Sequence, residues 1–341
     1  MFHKKLTLAV AAAAFVAGGG VAQAETQLAM VGFGGASNLP VWLAMDRGLF
    51  KAEGIDLTLE ATRGSIAQMK NMMSGKYQVA STSIDNVIAY TEGQGDVQIP
   101  GFDMVCVAGV HSGLNSVVTR PEIKNYAAIK GKPVAVDAVG TGYAFVLYRI
   151  LAQHGLKRDR DYSIAAVGGG PERLKALEEN KAVAAVISAP NDTEAKNMGY
   201  NILADAAAAL GGYQGSAYCL RKSWAKTHHA ETVAWIRTLI KAHDTVFADR
   251  NASIAVLKSH IKNLSDADAA TIYTSLTHGK GGLNKRAAIS TKGMKTVLSL
   301  RNEYAEPHKN LTKPAKYYDL SYWKEALKGV GTTKSAQGSK M

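Results

Sequence analysis

Several short turns carry residue types that hold a small polar solute without reacting with it. They are Ser37-Asn38-Leu39, Arg63-Gly64-Ser65, the segment with Ser83, Asp85 and Asn86, Thr141-Gly142-Tyr143, and Ser188 to Asn191 with Pro190 inside it. Each turn follows an apolar run and precedes a helical pattern. Each therefore leaves the first backbone N–H groups of a helix unsatisfied and aimed, with the positive end of the helix dipole, at an anion or a polar oxygen. The same hydroxyl and amide side chains serve equally well as helix caps. Two charged members would choose among solutes. Arg63 could fork onto a carboxylate or sulfonate or stand at the surface, and Asp85 could cap its helix or pair with an amine or protonated heterocycle. Trp42 and Tyr143 offer rings for stacking or fill the core.

Catalytic sets are missing from this sequence. A serine hydrolase needs a Gly-x-Ser-x-Gly elbow, and none occurs. The histidines, including the adjacent His228-His229, have no metal-ligand spacing with Cys or acids. The turn Gly168-Gly169-Gly170-Pro171 lacks the Lys-Ser/Thr of a phosphate loop. The expectation is a binding protein and not an enzyme, with no cofactor and no metal.

The elements that position these turns alternate. Strand patterns at 27–33, 54–59, 78–80, 105–110, 116–119, 133–138, 162–167 and 182–188 are interleaved with helical patterns, and the chain beyond 220 is largely helical. That order predicts an α/β architecture, with each sheet flanked by helices. In such sheets ligands sit outside the carboxyl ends of the strands, which is where these turns fall. A length of 341 residues exceeds what one core usually serves, so two lobes are expected.

The N-terminus reads as a secretory signal peptide. Lys4 and Lys5 precede an apolar run from Leu6 to Val16, and small residues end in Ala22-Gln23-Ala24. The run is too short to span a bilayer, so residues 1–24 are expected to be removed and the rest to enter the periplasm. A lipid anchor would need a Cys at the cleavage point, and the first is Cys106. In that oxidising compartment Cys106 and Cys219 permit one disulfide, or they remain two buried thiols. The net charge of +12 is spread in short mixed clusters, as on a solvated basic surface and not in a nucleic-acid footprint. Residues 329–341, rich in Gly, Ser, Thr and Lys, read as a disordered tail.

The run from Leu39-Pro40-Val41-Trp42 through Asp46-Arg47-Gly48-Leu49-Phe50 to Glu53-Gly54-Ile55 resembles the N-terminal signature of the nitrate, taurine, alkanesulfonate and thiamine-pyrimidine binding-protein group. Arg63-Gly64-Ser65, then Tyr77-Gln78-Val79-Ala80 with Ser81-Thr82-Ser83, and Lys130-Gly131-Lys132-Pro133-Val134-Ala135-Val136 before Gly140-Thr141-Gly142 follow in the same order. The resemblance implies a two-lobed type II periplasmic binding protein fold with the ligand cleft between the lobes. The first lobe would comprise residues 25–114 and 218–328, and the second 115–217. The crossing strands of that fold would bring Cys106 and Cys219 close together. It further implies a monomeric receptor that delivers a small organic solute to the inner-membrane permease of an ABC transporter. Two alternatives share the fold: a ligand-presenting sensor or adaptor, and a pyrimidine-synthase-like enzyme, whose dense cysteine motif this chain lacks.

Overall fold

The computed structural model describes residues 25–331. The expected leader and the tail from 332 lie outside the described residues.

In chain order the fold begins with β1 (Thr26–Phe33), α1 (Leu39–Asp46), β2 (Ile55–Thr62), α2 (Ser65–Met73), β3 (Val79–Ser83), α3 (Ile84–Thr91) and β4 (Met104–His111). The chain then crosses to β5 (Ser116–Thr119), β6 (Lys132–Val136), α4 (Gly142–Gln153), β7 (Tyr162–Ala166), α5 (Gly170–Glu178), β8 (Ala184–Ile187), α6 (Asn191–Asn197), β9 (Asn201–Asp205) and α7 (Ala206–Leu210). It returns through β10 (Ser216–Arg221) into α8 (Lys222–Thr227), α9 (His229–Ala248), α10 (Arg250–His260), α11 (Asp266–His278), α12 (Thr291–Tyr304) and α13 (Ser321–Lys328).

Two five-stranded sheets result, ordered β2-β1-β3-β10-β4 and β7-β6-β8-β5-β9. In each, one trio runs parallel (β2, β1, β3; β7, β6, β8) and the crossing strand, β10 or β5, pairs antiparallel beside it. Every residue of β3 and of β4 is buried, as expected of strands covered on both faces. At the β4 edge the chain near Tyr317 acts as a strap: Cys106 N–H donates to the Tyr317 carbonyl and Asp319 N–H to that of Cys106. The strap satisfies edge groups that would otherwise be open to pairing.

Ser81-Thr82-Ser83 belongs to strand β3, and α3 begins directly after it. Strand β10 begins at Ser216, and Ser216 and Ala217 already pair with Ser83 and Thr82 of β3. The C-terminal segment also does more than complete the first lobe. Helix α12 packs against α4 of the second lobe as well as α3 of the first, and one buried cluster runs from Ala80 and Ile84 through Phe145 and Tyr148 to Val297 and Leu298.

Candidate ligand cleft

A cavity of about 60 Å³ lies between the lobes. The first lobe contributes Phe33, Gly34 and Ser37 after β1, and Ser83 and Asn86 where β3 meets α3. His111, Leu114, Asn115 and Ser216 come from the crossing strands. The second lobe supplies Asp137, Thr141, Tyr143, Gly170, Arg173 and Ser188. The N-termini of α1, α3, α4 and α5 thus converge on one space, so their free N–H groups and dipoles make it favourable to negative charge.

Arg173 is the cation of this space. It is buried, its Nε–H donates to the Gly169 carbonyl at 3.1 Å, and among the described residues no carboxylate lies within ion-pair distance. Burial pushes its pKa below the ordinary value, with Asp137 pulling the other way. A guanidinium nevertheless keeps its charge in proteins. Its position follows from helix geometry: the residue one turn into α5 projects back over the helix start.

The remaining polar groups are arranged around it. Ser65 N–H, at the start of α2, donates to Asp137 Oδ2 at 3.3 Å, so this carboxylate of the second lobe meets the first lobe across the cleft. His111 is buried, and its Nδ1 accepts from Gly113 N–H and Leu114 N–H, each at 3.1 Å. Desolvation lowers the His111 pKa to about 4. Tyr143 Oη approaches Ser216 and Asn115 without hydrogen-bond geometry, and burial pushes its pKa up to about 12. Ser83 Oγ is likewise buried and unpartnered among the described residues. Unpaired donors of this kind are costly unless a ligand or water answers them.

The lobes touch around the cavity. Ala36 N–H donates to the Ala189 carbonyl and Gly169 N–H to that of Arg63, both at 3.0 Å. Gly140 N–H donates to Asp96 at 2.9 Å, and Asn197 donates to Asp268 at 3.2 Å.

Of the residues singled out from sequence, Ser37, Ser83, Asn86, Thr141, Tyr143 and Ser188 line the cavity. The others are placed differently. Asp85 is locked in a bidentate ion pair with Arg301, Nε to Oδ1 at 2.6 Å and Nη2 to Oδ2, so its charge is already answered and no amine is needed. The Arg63 side chain is exposed and only its carbonyl serves the lobe contact. Trp42 stacks on His260 with ring centroids 4.8 Å apart, outside the cleft. Leu39 is core, and Asn38 donates to the Phe33 carbonyl at 2.8 Å, holding the loop after β1. Gly64 and Ser65 border Asp137. Gly142 packs so tightly that an added Cβ would stand 2.6 Å from the Asp85 Cβ. Pro190 follows a cis peptide and Asn191 opens α6, and neither lines the cavity.

Sequence reasoning missed Arg173, His111 and Asp137. The signal was present for two of them: His111 ends β4 and Asp137 directly follows β6, at the carboxyl ends the sheet rule selects. Cys106 and Cys219 stand opposite each other on β4 and β10, buried and bonded as a disulfide. Among the described residues no group of three or more His, Cys, Asp or Glu could hold a metal, and no helix is long and apolar enough to cross a membrane.

A sequence profile of the NMT1-like family matches residues 22–258. The chain belongs to the NMT1-like family. For this member, no curated protein matches by sequence. Solved structures do match in fold. The periplasmic nitrate-binding protein of Synechocystis PCC 6803 superposes with a TM-score of 0.75 at 13% identity, covering 90% of this chain and 89% of that one. The ligand-binding component of an ABC-type import system from Staphylococcus aureus, with zinc bound, gives 0.72 at 15%, covering 89% and 99%. The alkanesulfonate-binding protein of Xanthomonas axonopodis pv. citri, bound to MOPS, gives 0.67 at 17%, covering 86% and 96%. The group and the two-lobed fold implied by the sequence motifs are thus the ones found.

Proposed function

We propose that this NMT1-like family member is the exported solute receptor of an ABC importer, and that its cleft takes a small anion. The observation that carries the solute class is Arg173, a buried guanidinium lining the cavity that, among the described residues, forms no ion pair even with Asp137, which lines the same space. An anion would complete that pairing where water is largely excluded, so each charge-assisted hydrogen bond counts for more. The helix N-termini around it act in the same direction. Support for the receptor role comes from the fold neighbours, named as nitrate-binding, alkanesulfonate-binding and import-system components. The partners of such a receptor are an inner-membrane permease and its ATPase, and its working form is a periplasmic monomer.

The test is calorimetric titration of the mature chain with nitrate, methanesulfonate, taurine and short carboxylates, with glucose and putrescine as neutral and cationic controls. An anion should bind, and Arg173→Met should weaken it roughly thirtyfold, the equivalent of about 2 kcal/mol for a charged hydrogen bond. Saturable binding of the neutral or cationic controls alone would overturn the anion assignment.

A further inference from the structure

The tautomer of His111 is fixed by its own chain. The turn that follows β4 folds back so that two successive backbone N–H groups, of Gly113 and Leu114, both donate to Nδ1. Gly113 makes the fold-back possible with φ of 104°, a value that side chains rarely adopt. Because Nδ1 accepts twice, the ring's one proton must sit on Nε2. Among the described residues the ring's hydrogen bonds are the two at Nδ1, leaving Nε2 without a protein partner, and His111 lines the cavity.

We infer that His111 is a specificity-determining residue of the cleft: an uncharged donor whose Nε2–H reads one oxygen of the solute while Arg173, from the opposite lobe, reads another. The inference rests on the anion reading of the cleft and narrows it. The solute is a fully ionised oxyanion with at least two acceptor oxygens, such as a sulfonate, carboxylate or nitrate, and the anion itself bridges the lobes. A protonated acid would set its own donor against a donor and is rejected.

The groups around His111 support a fixed charge state. On its own strand and the adjoining segments Ser112, Gln214 and Asn284 are all uncharged: Gln214 donates to the His111 backbone carbonyl at 3.3 Å and Asn284 to Ser112 Oγ at 2.8 Å. Across the cavity stand Tyr143, which keeps its proton, and the opposed charges Arg173 and Asp137. No neighbouring charge draws a second proton onto the ring, and burial opposes one.

Two measurements on the mature chain test this. Long-range ¹H–¹⁵N NMR, with the His111 signals assigned by their loss in His111→Gln, should show the Nε2-protonated neutral ring unchanged from pH 8 to 5. A proton on Nδ1, or titration within that range, would overturn the inference whatever the solute. In calorimetry, methanesulfonate or nitrate should bind equally within about twofold at pH 8 and 5.5. His111→Ala should weaken binding about tenfold or more, and His111→Gln, which restores an N–H donor near Nε2, should recover most of the loss. Wild-type affinity in His111→Ala would sink the assignment while leaving the anion reading intact. A wild-type protein that binds no anion of the panel would sink both. If His111→Ala fails to fold, as circular dichroism would show, the NMR tautomer and the wild-type pH profile still decide.

Discussion

Asp85 and Arg301 form the pair on which the two-lobe junction can be tested most sharply. Their side chains are 1% and 0% exposed, and they meet through two parallel N–H···O bonds. Arg301 also donates to the Gly140 carbonyl at 2.8 Å, at the entry to α4, and its guanidinium lies 4.9 Å from the Phe145 ring centroid. One arginine of α12 therefore ties α3 of the first lobe to α4 of the second. Removing one partner of such a pair typically costs 3–5 kcal/mol, because the other charge stays buried and unanswered. In Asp85→Ala the guanidinium would keep the Gly140 carbonyl and the Phe145 face, so the lower end applies, about 3 kcal/mol. Replacing both members by apolar residues, Asp85→Leu with Arg301→Met, removes the charge along with its partner and should cost clearly less than the single change. Urea unfolding followed by circular dichroism, fitted for both midpoint and slope, measures each variant. The reasoning fails if Asp85→Ala unfolds within about 0.5 kcal/mol of wild type. It also fails if that variant loses solute binding without losing stability, since Asp85 would then serve the ligand directly.

Two further outcomes are expected. His243 is buried, with Nδ1 against the Asn284 carbonyl at 2.8 Å and Nε2 against Tyr218 Oη at 3.3 Å, and desolvation holds its pKa at about 4 against an ordinary 6.5. Between these values the unfolded chain takes a proton that the folded one refuses, so stability is full above pH 6.5 and falls as pH drops toward 4. His111 acts in the same direction. The slope should approach about 1.4 kcal/mol per pH unit for each ring; melting temperatures that stay level from pH 7.5 to 4.5 would refute this. The Cys106–Cys219 bond closes a sequence separation of 113 residues, which in the chain-entropy treatment corresponds to as much as about 4–5 kcal/mol. Paired urea titrations with and without a thiol reductant should show a lower midpoint in the reduced protein, and coincident curves would count against the bond.

Much of the architecture was legible because it is written in local patterns. Apolar runs such as Met104 to Val110 announce buried strands, and Pro40 in the first turn of α1 marks a helix start. The hydroxyl turns were legible for the same reason, since Ser37, Ser83, Thr141 and Ser188 stand where a strand hands over to a helix. The domain-straddling role of α12 was not, because its pattern of Met294, Val297, Leu298 and Arg301 says that one face is buried but not against what.

Charge at the site was the least legible feature, and the reason is physical. Arg63 and Arg173 both lie near helix starts beyond strand ends, yet Arg63 precedes its helix and leaves the cleft, whereas Arg173 sits one turn inside and points back into it. Asp85 and Asp137 both lie near such starts, yet Asp85 is cancelled by an arginine 216 residues away, a pairing no local pattern can announce. Among the described residues Asp137 Oδ2 accepts from the Ser65 N–H across the cleft and from no cation. What selects a solute is the charge left over once internal pairs are subtracted. In this cleft the subtraction removes Asp85 and leaves Arg173 and Asp137 facing one space, with the converging helix N-termini tipping that balance toward negative charge. Arg173 and those helix starts together, with Asp85 cancelled, are what support an anion over an amine as the proposed cargo.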